Sequence, residues 1–250
     1  MLLVVMLNGC EQQRLQKPDV LRIAVAANFA PTLEQLVAAY NQDRNPPLQV
    51  HTMVGSSGLL AAQLLSGAPY DLMFAADMNR PAALVKAGVA VAQAQTYAYG
   101  RLALWAPKHG FKDARKRLLE GSYTHLAIAN PDLAPYGAAS QQVLERLNSW
   151  GSIQNRLVRG ENVGQVYRYV ITERVDMGFV ALSQVITQER VAEDEALWTV
   201  PASMHSPIEQ QAVVLNGKNV ELAEAFLAFC LGQSGRAIIK QAGYDLPTVE

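Results

Sequence analysis

Apolar runs alternate with amphipathic segments along the first third of the chain. Three runs read as buried strands, and each precedes a segment whose apolar residues recur at helical spacing. The three runs are residues 21–25, 48–54 and 70–76. The apolar residues of the first helical segment, spaced i, i+3, i+4 and i+7, are Leu33, Leu36, Val37 and Tyr40. The resulting order β-α-β-α-β-α predicts a parallel sheet.

A long extended run at residues 96–106 interrupts this alternation. A long strand with a central glycine, here Gly100, can pass from one folded unit, or lobe, of a protein to another. Further strand and helix patterns follow it. The apolar run at residues 208–215 is expected to return the chain to the first lobe, and two closing helices come after it. Two α/β units joined by two crossovers predict a two-lobed protein with a hinge.

The crossovers divide the chain into three parts. Residues 20–100 and 206–250 form lobe 1, residues 101–205 form lobe 2, and residues 1–19 are a leader and tether. Each lobe is predicted to be a mostly parallel sheet flanked by helices. Ligands of such sheets bind outside the carboxyl ends of the strands, and hinged lobes close around them.

Two short stretches stand at strand-to-helix junctions of the first lobe. They are Ala26-Ala27-Asn28-Phe29 and Gly55-Ser56-Ser57-Gly58. A helix start leaves backbone N–H groups unpaired and favours an anion. Neither stretch contains a charged residue or His, so a deprotonated oxyanion that only accepts hydrogen bonds would suit them. The alternative is that Asn28 and Ser56 are ordinary helix caps.

Two similar junctions are predicted in the second lobe. Residues 133–139 lead into a helix and place the phenol of Tyr136 as a donor. Residues 161–164 open the next helix. Four helix starts, two from each lobe, are therefore expected to face one cleft.

Composition narrows the range of functions. The 250 residues are 50% hydrophobic and 17% charged, with a net charge of -1, so the chain lacks the basic footprint of a nucleic-acid binder. Its two cysteines, Cys10 and Cys230, provide no disulfide framework and no cysteine-based metal site.

The N-terminus suggests export. An apolar run, residues 1–7, precedes Asn8-Gly9-Cys10, which resembles a bacterial lipoprotein cleavage site. We therefore expect a periplasmic or extracytoplasmic protein with a lipid anchor at Cys10. The run is shorter than a usual signal core and no Lys or Arg precedes it, so an accidental signal or a misassigned start is the alternative.

Enzymatic motifs are not found in the sequence. The Gly-x-Ser-x-Gly spacing of a nucleophile elbow is missing, and no Gly-x-Gly-x-x-Gly follows the first strand. The four histidines have no metal-binding spacing; they are His51, His109, His125 and His205. We expect neither an enzyme nor a resident cofactor.

Several motifs together resemble the periplasmic molybdate-binding proteins, the substrate-binding components of molybdate ABC transporters. The matching stretches are Ala26-Ala27-Asn28-Phe29, Gly55-Ser56-Ser57-Gly58, Gly67-Ala68-Pro69-Tyr70-Asp71-Leu72, Ala75-Ala76-Asp77 and the helix start at Asn162-Val163. The resemblance runs from about Leu21 to the C-terminus. It implies the type II periplasmic-binding-protein fold and a monomer that captures molybdate, and tungstate with it, for a membrane permease.

The resemblance also implies a ligand set, which is Ala27, Asn28, Ser56, Ser57, Tyr136 and Val163. Asn28 matches the first polar ligand, with Ala27 as a backbone donor beside it. Ser57, together with Ser56, matches the second, and Val163 contributes its N–H. Many family members have Ser at position 28 and Tyr at position 181, where this chain has Ala181, so Tyr136 is expected to supply the missing donor.

The chemistry of this ligand set fits molybdate, a dianion without a proton at neutral pH. Hydrogen phosphate carries a proton and calls for an acceptor, while sulfate would have to be excluded by cavity size. The alternative function is a solute-binding protein of the same fold for sulfate, phosphate or a small organic anion.

Overall fold

The computed structural model describes residues 19–107, 113–186 and 196–248. Ten strands form two five-stranded sheets in this part of the chain. The strands of the first sheet are β1 (Val20–Ala26), β2 (Gln49–Gly55), β3 (Leu72–Phe74), β4 (Gln95–Gly100) and β10 (Ile208–Val214). Those of the second are β5 (Leu102–Trp105), β6 (Leu126–Ala129), β7 (Leu157–Gly160), β8 (Met177–Ala181) and β9 (Leu197–Thr199).

Both sheets are mixed. The first has the order β2-β1-β3-β10-β4 and the second β7-β6-β8-β5-β9. In the first sheet β1 pairs in parallel with β2 and β3, whereas β10 is antiparallel to β3 and β4. In the second, β6 pairs in parallel with β7 and β8, whereas β5 is antiparallel to β8 and β9. Because β4 and β9 each pair with a reversed strand, four of the five strands in each sheet run in the same direction. The expectation of mostly parallel sheets is confirmed, and the strands that run against the others are those that enter by the crossovers, β10 and β5.

Helices cover both sheets. The helices of the first lobe are α1 (Ala30–Tyr40), α2 (Ser57–Leu65), α3 (Asn79–Lys86), α8 (Val220–Leu231) and α9 (Gln233–Gln241). Those of the second are α4 (Ala114–Glu120), α5 (Pro135–Arg146), α6 (Val163–Ile171) and α7 (Leu182–Val185). None of the described helices is by itself long and apolar enough to cross a membrane; α8 and α9 meet the length and composition only together, and they are bent by 61°.

The long extended run predicted over residues 96–106 is two strands in two sheets. β4 ends at Gly100 in the first sheet, and β5 begins at Leu102 in the second. The chain therefore crosses between the lobes at Arg101, whose guanidinium forms an ion pair of 3.2 Å with Asp245. It returns between β9 and β10.

An aromatic cluster fixes the start of α1 against the first sheet. The ring of Phe29, which directly precedes α1, lies 5.2 Å from that of Phe74, 4.5 Å from that of Tyr97 and 5.6 Å from that of Tyr244. All four side chains are buried, and aromatic pairs at these distances add to the energy of burial. The turn at Asn28 is thereby held at the carboxyl end of β1.

Candidate functional site

The N-terminal ends of four helices, or the residues just before them, meet at one cavity between the lobes. α1 and α2 come from the first lobe and α5 and α6 from the second. The lining residues are Ala26, Ala27, Asn28, Gly55, Ser56, Ser57, Ala76, Ala134, Pro135, Tyr136, Asn162 and Val163. The structure thus brings together all six residues of the predicted ligand set. Their contact with an anion stays a prediction.

The lobes are closed around this cavity. The N–H of Gly58 in the first lobe donates to the carbonyl of Leu133 in the second at 3.0 Å. Arg80 Nη2 donates to the carbonyl of Asp132 at 3.0 Å, also across the cleft. A Cβ placed on Gly164 would lie 3.1 Å from Ala27 Cβ, so there is little room between the lobes at this point.

Backbone N–H groups of three lining residues are available as donors. In the described part of the chain, the N–H groups of Asn28, Ser57 and Val163 donate to no protein acceptor. Ser57 and Val163 are the first residues of α2 and α6, where helices leave such groups unpaired and carry a partial positive charge. Residues with unpaired N–H groups, from both lobes, therefore line the cavity.

The expected backbone donation from Ala27 is wrong for this structure. Its N–H donates to the carbonyl of Gly55 at 3.0 Å, because the pairing of β1 with β2 continues one residue past Ala26. Ala27 lines the cavity, but its N–H is engaged by the protein and is not free for a ligand.

Three hydroxyl groups line the cavity, and each oxygen is held by an N–H of the protein. Ser56 Oγ accepts from the N–H of Leu59 at 3.4 Å, and Ser57 Oγ accepts from that of Ala76 at 2.8 Å. Tyr136 Oη accepts from the side-chain amide of Gln210 at 3.2 Å. An oxygen that accepts a hydrogen bond keeps its own hydrogen to donate. The cavity can therefore offer three hydroxyl donors.

The helix-cap alternative is right for Ser56 and wrong for Asn28. Ser56 is the N-cap of α2 and its side chain accepts from the first turn. Asn162, a further lining residue, caps α6 in the same way by accepting from Gln165 N–H at 3.0 Å. Asn28, in contrast, lies one residue before the N-cap of α1, which is Phe29, and that cap has no side-chain hydrogen bond.

The side chain of Asn28 bonds to the protein. Its Nδ2 donates to Gln210 Oε1 at 2.9 Å and to Tyr244 Oη at 3.1 Å, which uses both amide hydrogens. Its Oδ1 is buried and accepts no hydrogen bond from a described residue. Asn28 therefore has no side-chain hydrogen free for a ligand, and its free donor is the backbone N–H.

A buried polar network behind the cavity was missed by the sequence analysis. Gln210 Oε1 also accepts from Tyr97 Oη at 2.8 Å, and Gln210 Nε2 donates to Tyr136 Oη at 3.2 Å. Tyr244 Oη donates to the carbonyl of Asn28 at 2.8 Å. The available signal was a Gln inside the apolar run at residues 208–215, since a polar side chain in a buried strand requires buried partners.

The cavity presents no ionisable group that is charged at neutral pH. None of the described residues that line it is Lys, Arg, Asp, Glu or His. Burial raises the pKa of the Tyr136 phenol well above its usual value, and it raises the pKa of Tyr244 to about 12. Both phenols therefore keep their hydrogens across the physiological range.

Asp77 is a carboxylate next to the lining residue Ala76. Burial raises its pKa, and the backbone hydrogen bond and charge of Arg80 offset part of that effect. Asp77 Oδ1 accepts from Arg80 N–H at 2.8 Å, although the N-cap position of α3 is Met78.

Ala181, the position where many family members have Tyr, is fully buried and supplies no side-chain donor. Its N–H donates to Gln184 Oε1 at 3.2 Å, at the start of α7. Tyr136, in contrast, is among the residues that line the cavity. That it takes over the donor role stays a prediction.

Comparisons with known proteins give a consistent picture. The profile of a family described as bacterial extracellular solute-binding protein matches residues 21–245. The molybdate-binding protein ModA of Azotobacter vinelandii is 37% identical over 228 residues, which is 90% of this chain and 89% of that protein. ModA of Rhodobacter capsulatus is 35% identical, over 88% of this chain and 86% of that protein. The solved structure of an Azotobacter vinelandii periplasmic molybdate-binding protein aligns with a TM-score of 0.84 and 38% identity, over 91% of this chain and 100% of that one.

Proposed function

This chain belongs to the family of bacterial extracellular solute-binding proteins, and from that premise we propose that it captures molybdate between its lobes and delivers it to the permease of an ABC transporter. We propose tungstate as a second ligand, because it has the same charge and tetrahedral shape. The similarity to molybdate-binding proteins supports a binding role rather than an enzymatic one.

The observation that carries the proposal is the convergence of uncharged donors from both lobes on one closed cavity. Molybdate accepts hydrogen bonds through all four oxygens and donates none. Hydrogen bonds to a charged group contribute about 1.5–3 kcal/mol each, so five or six of them support tight binding even after the costs of ordering and closure.

The residues have distinct roles in this proposal. Asn28, Ser57 and Val163 donate backbone N–H groups, and Ser56, Ser57 and Tyr136 donate hydroxyl hydrogens. Ala27 forms part of the wall of the cavity. Because these groups belong to both lobes, a bound anion links the lobes and favours the closed form.

The cellular setting is also part of the proposal. The family and the periplasmic relative support an extracytoplasmic location. We propose that the protein acts as a monomer and that Cys10 carries its lipid anchor. Cys10 and the leader lie outside the described residues, so this part rests on the sequence alone.

One observation favours a second candidate ligand. The buried Oδ1 of Asn28 is an acceptor without a partner among the described residues. An oxyanion that carries a proton, such as hydrogen phosphate, could donate to it, whereas molybdate could not. Phosphate is therefore the competitor that most needs to be tested.

A thermal-shift panel tests the function. The chain without residues 1–18 is heated with molybdate, tungstate, sulfate, phosphate or chromate. A ligand at a thousandfold excess over its dissociation constant adds about 4 kcal/mol of stability. We expect large shifts with molybdate and tungstate and little with sulfate and phosphate. A shift with phosphate alone, or with none of the five, would overturn the proposal.

A further inference from the structure

Gln210 is a completely buried amide at the junction of the two lobes. It lies on β10 of the first lobe and has an exposed fraction of 0%. The pairing of β10 with β4 shifts register between Gln210 and Gln211, and a bulge of this kind redirects a side chain. Gln210 is not among the described residues that line the cavity, so any influence on a ligand must pass through its neighbours.

The hydrogen bonds of Gln210 reach both lobes. Its Oε1 accepts from two first-lobe groups, Asn28 Nδ2 at 2.9 Å and Tyr97 Oη at 2.8 Å. Its Nε2 donates to Tyr136 Oη of the second lobe at 3.2 Å. Donors at one end of the amide identify that end as the oxygen, and the nitrogen then faces Tyr136.

This arrangement determines what the Tyr136 phenol can do. Because Tyr136 Oη accepts from Gln210, its hydrogen is left to donate elsewhere, and the phenol lines the cavity. Without the Gln210 amide, the phenol would be free to rotate about its C–O bond and to donate to a protein acceptor. The Gln210 side chain thus selects the direction of the O–H.

Gly100 shows how closely the crossover packs against this pair. A Cβ on Gly100 would overlap both Tyr136 Oη and Gln210 Nε2. Gly100 is the last residue of β4, immediately before the chain enters the second lobe. The hydrogen bond between Gln210 and Tyr136 therefore lies against the hinge.

We propose that Gln210 is a positioning residue of the anion site: it directs the Tyr136 O–H at the bound oxyanion and ties that contact to the closed arrangement of the lobes. This inference rests on the proposed function, since it assigns Gln210 a part in the same site.

A double-mutant cycle tests the proposal, with molybdate titrated calorimetrically into each protein. Gln210→Met keeps the length of the side chain and removes the amide. It is expected to weaken binding about 10- to 100-fold, the loss of one hydrogen bond to a charged group. In the Tyr136→Phe background the same change is expected to cost less than about threefold, because no phenol remains to be directed. Equal losses in the two backgrounds would overturn the proposal.

Gln211→Met is the matched control. Gln211 is the next residue of β10, and its Nε2 donates to Thr96 Oγ1 at 3.2 Å and Glu209 Oε1 at 3.3 Å, so its amide bonds to neither Tyr136 nor Asn28. We expect it to bind molybdate with wild-type affinity. An equal loss in Gln211→Met and Gln210→Met would mean that the strand, and not the Gln210 amide, affects binding, and would overturn the proposal.

Two further variants keep the test decisive if Gln210→Met does not fold. Gln210→Leu also removes the hydrogen bond to Tyr136 Oη without adding a charge, and Gly100→Ala pushes the pair apart. Both are expected to lose at least about 10-fold in affinity. If the wild-type protein binds molybdate and both variants bind it equally well, the role of Gln210 is refuted but the proposed function is not. Wild-type protein that binds none of the five anions would refute the proposed function itself.

Discussion

Ser57 Oγ accepts a hydrogen bond of 2.8 Å from the backbone N–H of Ala76. This contact joins the start of α2 to the chain just beyond β3, and both residues line the cavity. Ser57 is completely buried, so its hydroxyl has no solvent partner. The Ala76 N–H fixes the oxygen, and the Ser57 hydrogen can be donated either to the nearby Asp77 carboxyl or, in the proposed site, to a bound anion.

Ser57→Ala should therefore weaken both binding and folding. The loss of one donor to a dianion is expected to lower the affinity for molybdate by about 10- to 100-fold, and the orphaned Ala76 N–H should cost about 1–3 kcal/mol of unfolding free energy. Titration calorimetry and chemical denaturation measure the two effects. Ser66→Ala, at the exposed end of the same helix, is the control. Unchanged affinity in Ser57→Ala would remove Ser57 from the site.

Tyr136→Phe should weaken binding without a change in the pH dependence. Since burial holds the pKa of the phenol well above its usual value, Tyr136 is protonated in the free protein throughout pH 6–9. We therefore expect Tyr136→Phe to bind molybdate more weakly than the wild type by a factor that stays constant over that pH range. A wild-type affinity that approaches that of the variant as pH rises to 9 would contradict the buried, protonated donor.

Asp77 should make the protein less stable as pH rises. Burial raises the pKa of Asp77 above its ordinary value of 3.8, so the folded protein binds this proton more tightly than the unfolded chain does. The contribution to stability is present below pH 3.8 and is lost as pH increases through the raised pKa. Asp77→Asn removes the effect. The unfolding free energy of the variant, relative to that of the wild type, should therefore increase from pH 3.5 to 7.

Denaturant titrations across this pH range measure the difference, and Asp132→Asn, at an exposed carboxylate in the other lobe, is the control. If Asp77→Asn and the wild type differ by the same amount at every pH, Asp77 has an ordinary pKa and the interpretation fails.

Gly58→Ala should impair closure of the two lobes without destabilising the folded protein. A Cβ on Gly58 would lie 3.0 Å from the Leu133 carbonyl oxygen, directly across the cleft. Because Gly58 is in the first turn of α2, alanine there should not weaken the helix. The added methyl group should instead disfavour the closed form, in which it would press against the Leu133 carbonyl. We expect weaker molybdate binding at unchanged or higher thermal stability, and a smaller ligand-induced decrease in the radius of gyration by X-ray scattering.

The matched variant is Gly151→Ala, since a Cβ at that position meets no atom within 4 Å. It should bind and close like the wild type. A Gly58→Ala protein that closes and binds normally would mean that the contact between Gly58 and Leu133 is irrelevant to capture.

The sequence predicted the parts of the structure that depend on local pattern. The helix starts at Ser57 and Val163 follow from apolar periodicity and from the polar residues before them. The apolar run at residues 208–215 predicted the returning strand. Its direction in the sheet was not predicted, because pairing of strands from distant segments leaves no local signature.

The contacts behind the cavity depend on residues far apart in the chain. Asn28 and Gln210 are 182 positions apart, and Asn28 and Tyr244 are 216 apart. From the sequence, Asn28 was a helix cap or a ligand. The structure shows that its amide is bound by the returning strand and by the C-terminal segment. No periodicity brings such residues together, so the roles of Asn28 and Gln210 required the fold.

If the protein captures molybdate as proposed, uncharged donors hold the oxyanion in the cavity between the lobes. The most direct test is an anomalous difference map from crystals grown with molybdate, with data collected at the molybdenum absorption edge. We predict one strong peak in the cavity, with its oxygens within hydrogen-bonding distance of the Asn28 and Val163 N–H groups and the hydroxyls of Ser57 and Tyr136. A peak elsewhere on the protein, or an empty cavity in closed lobes, would contradict the account.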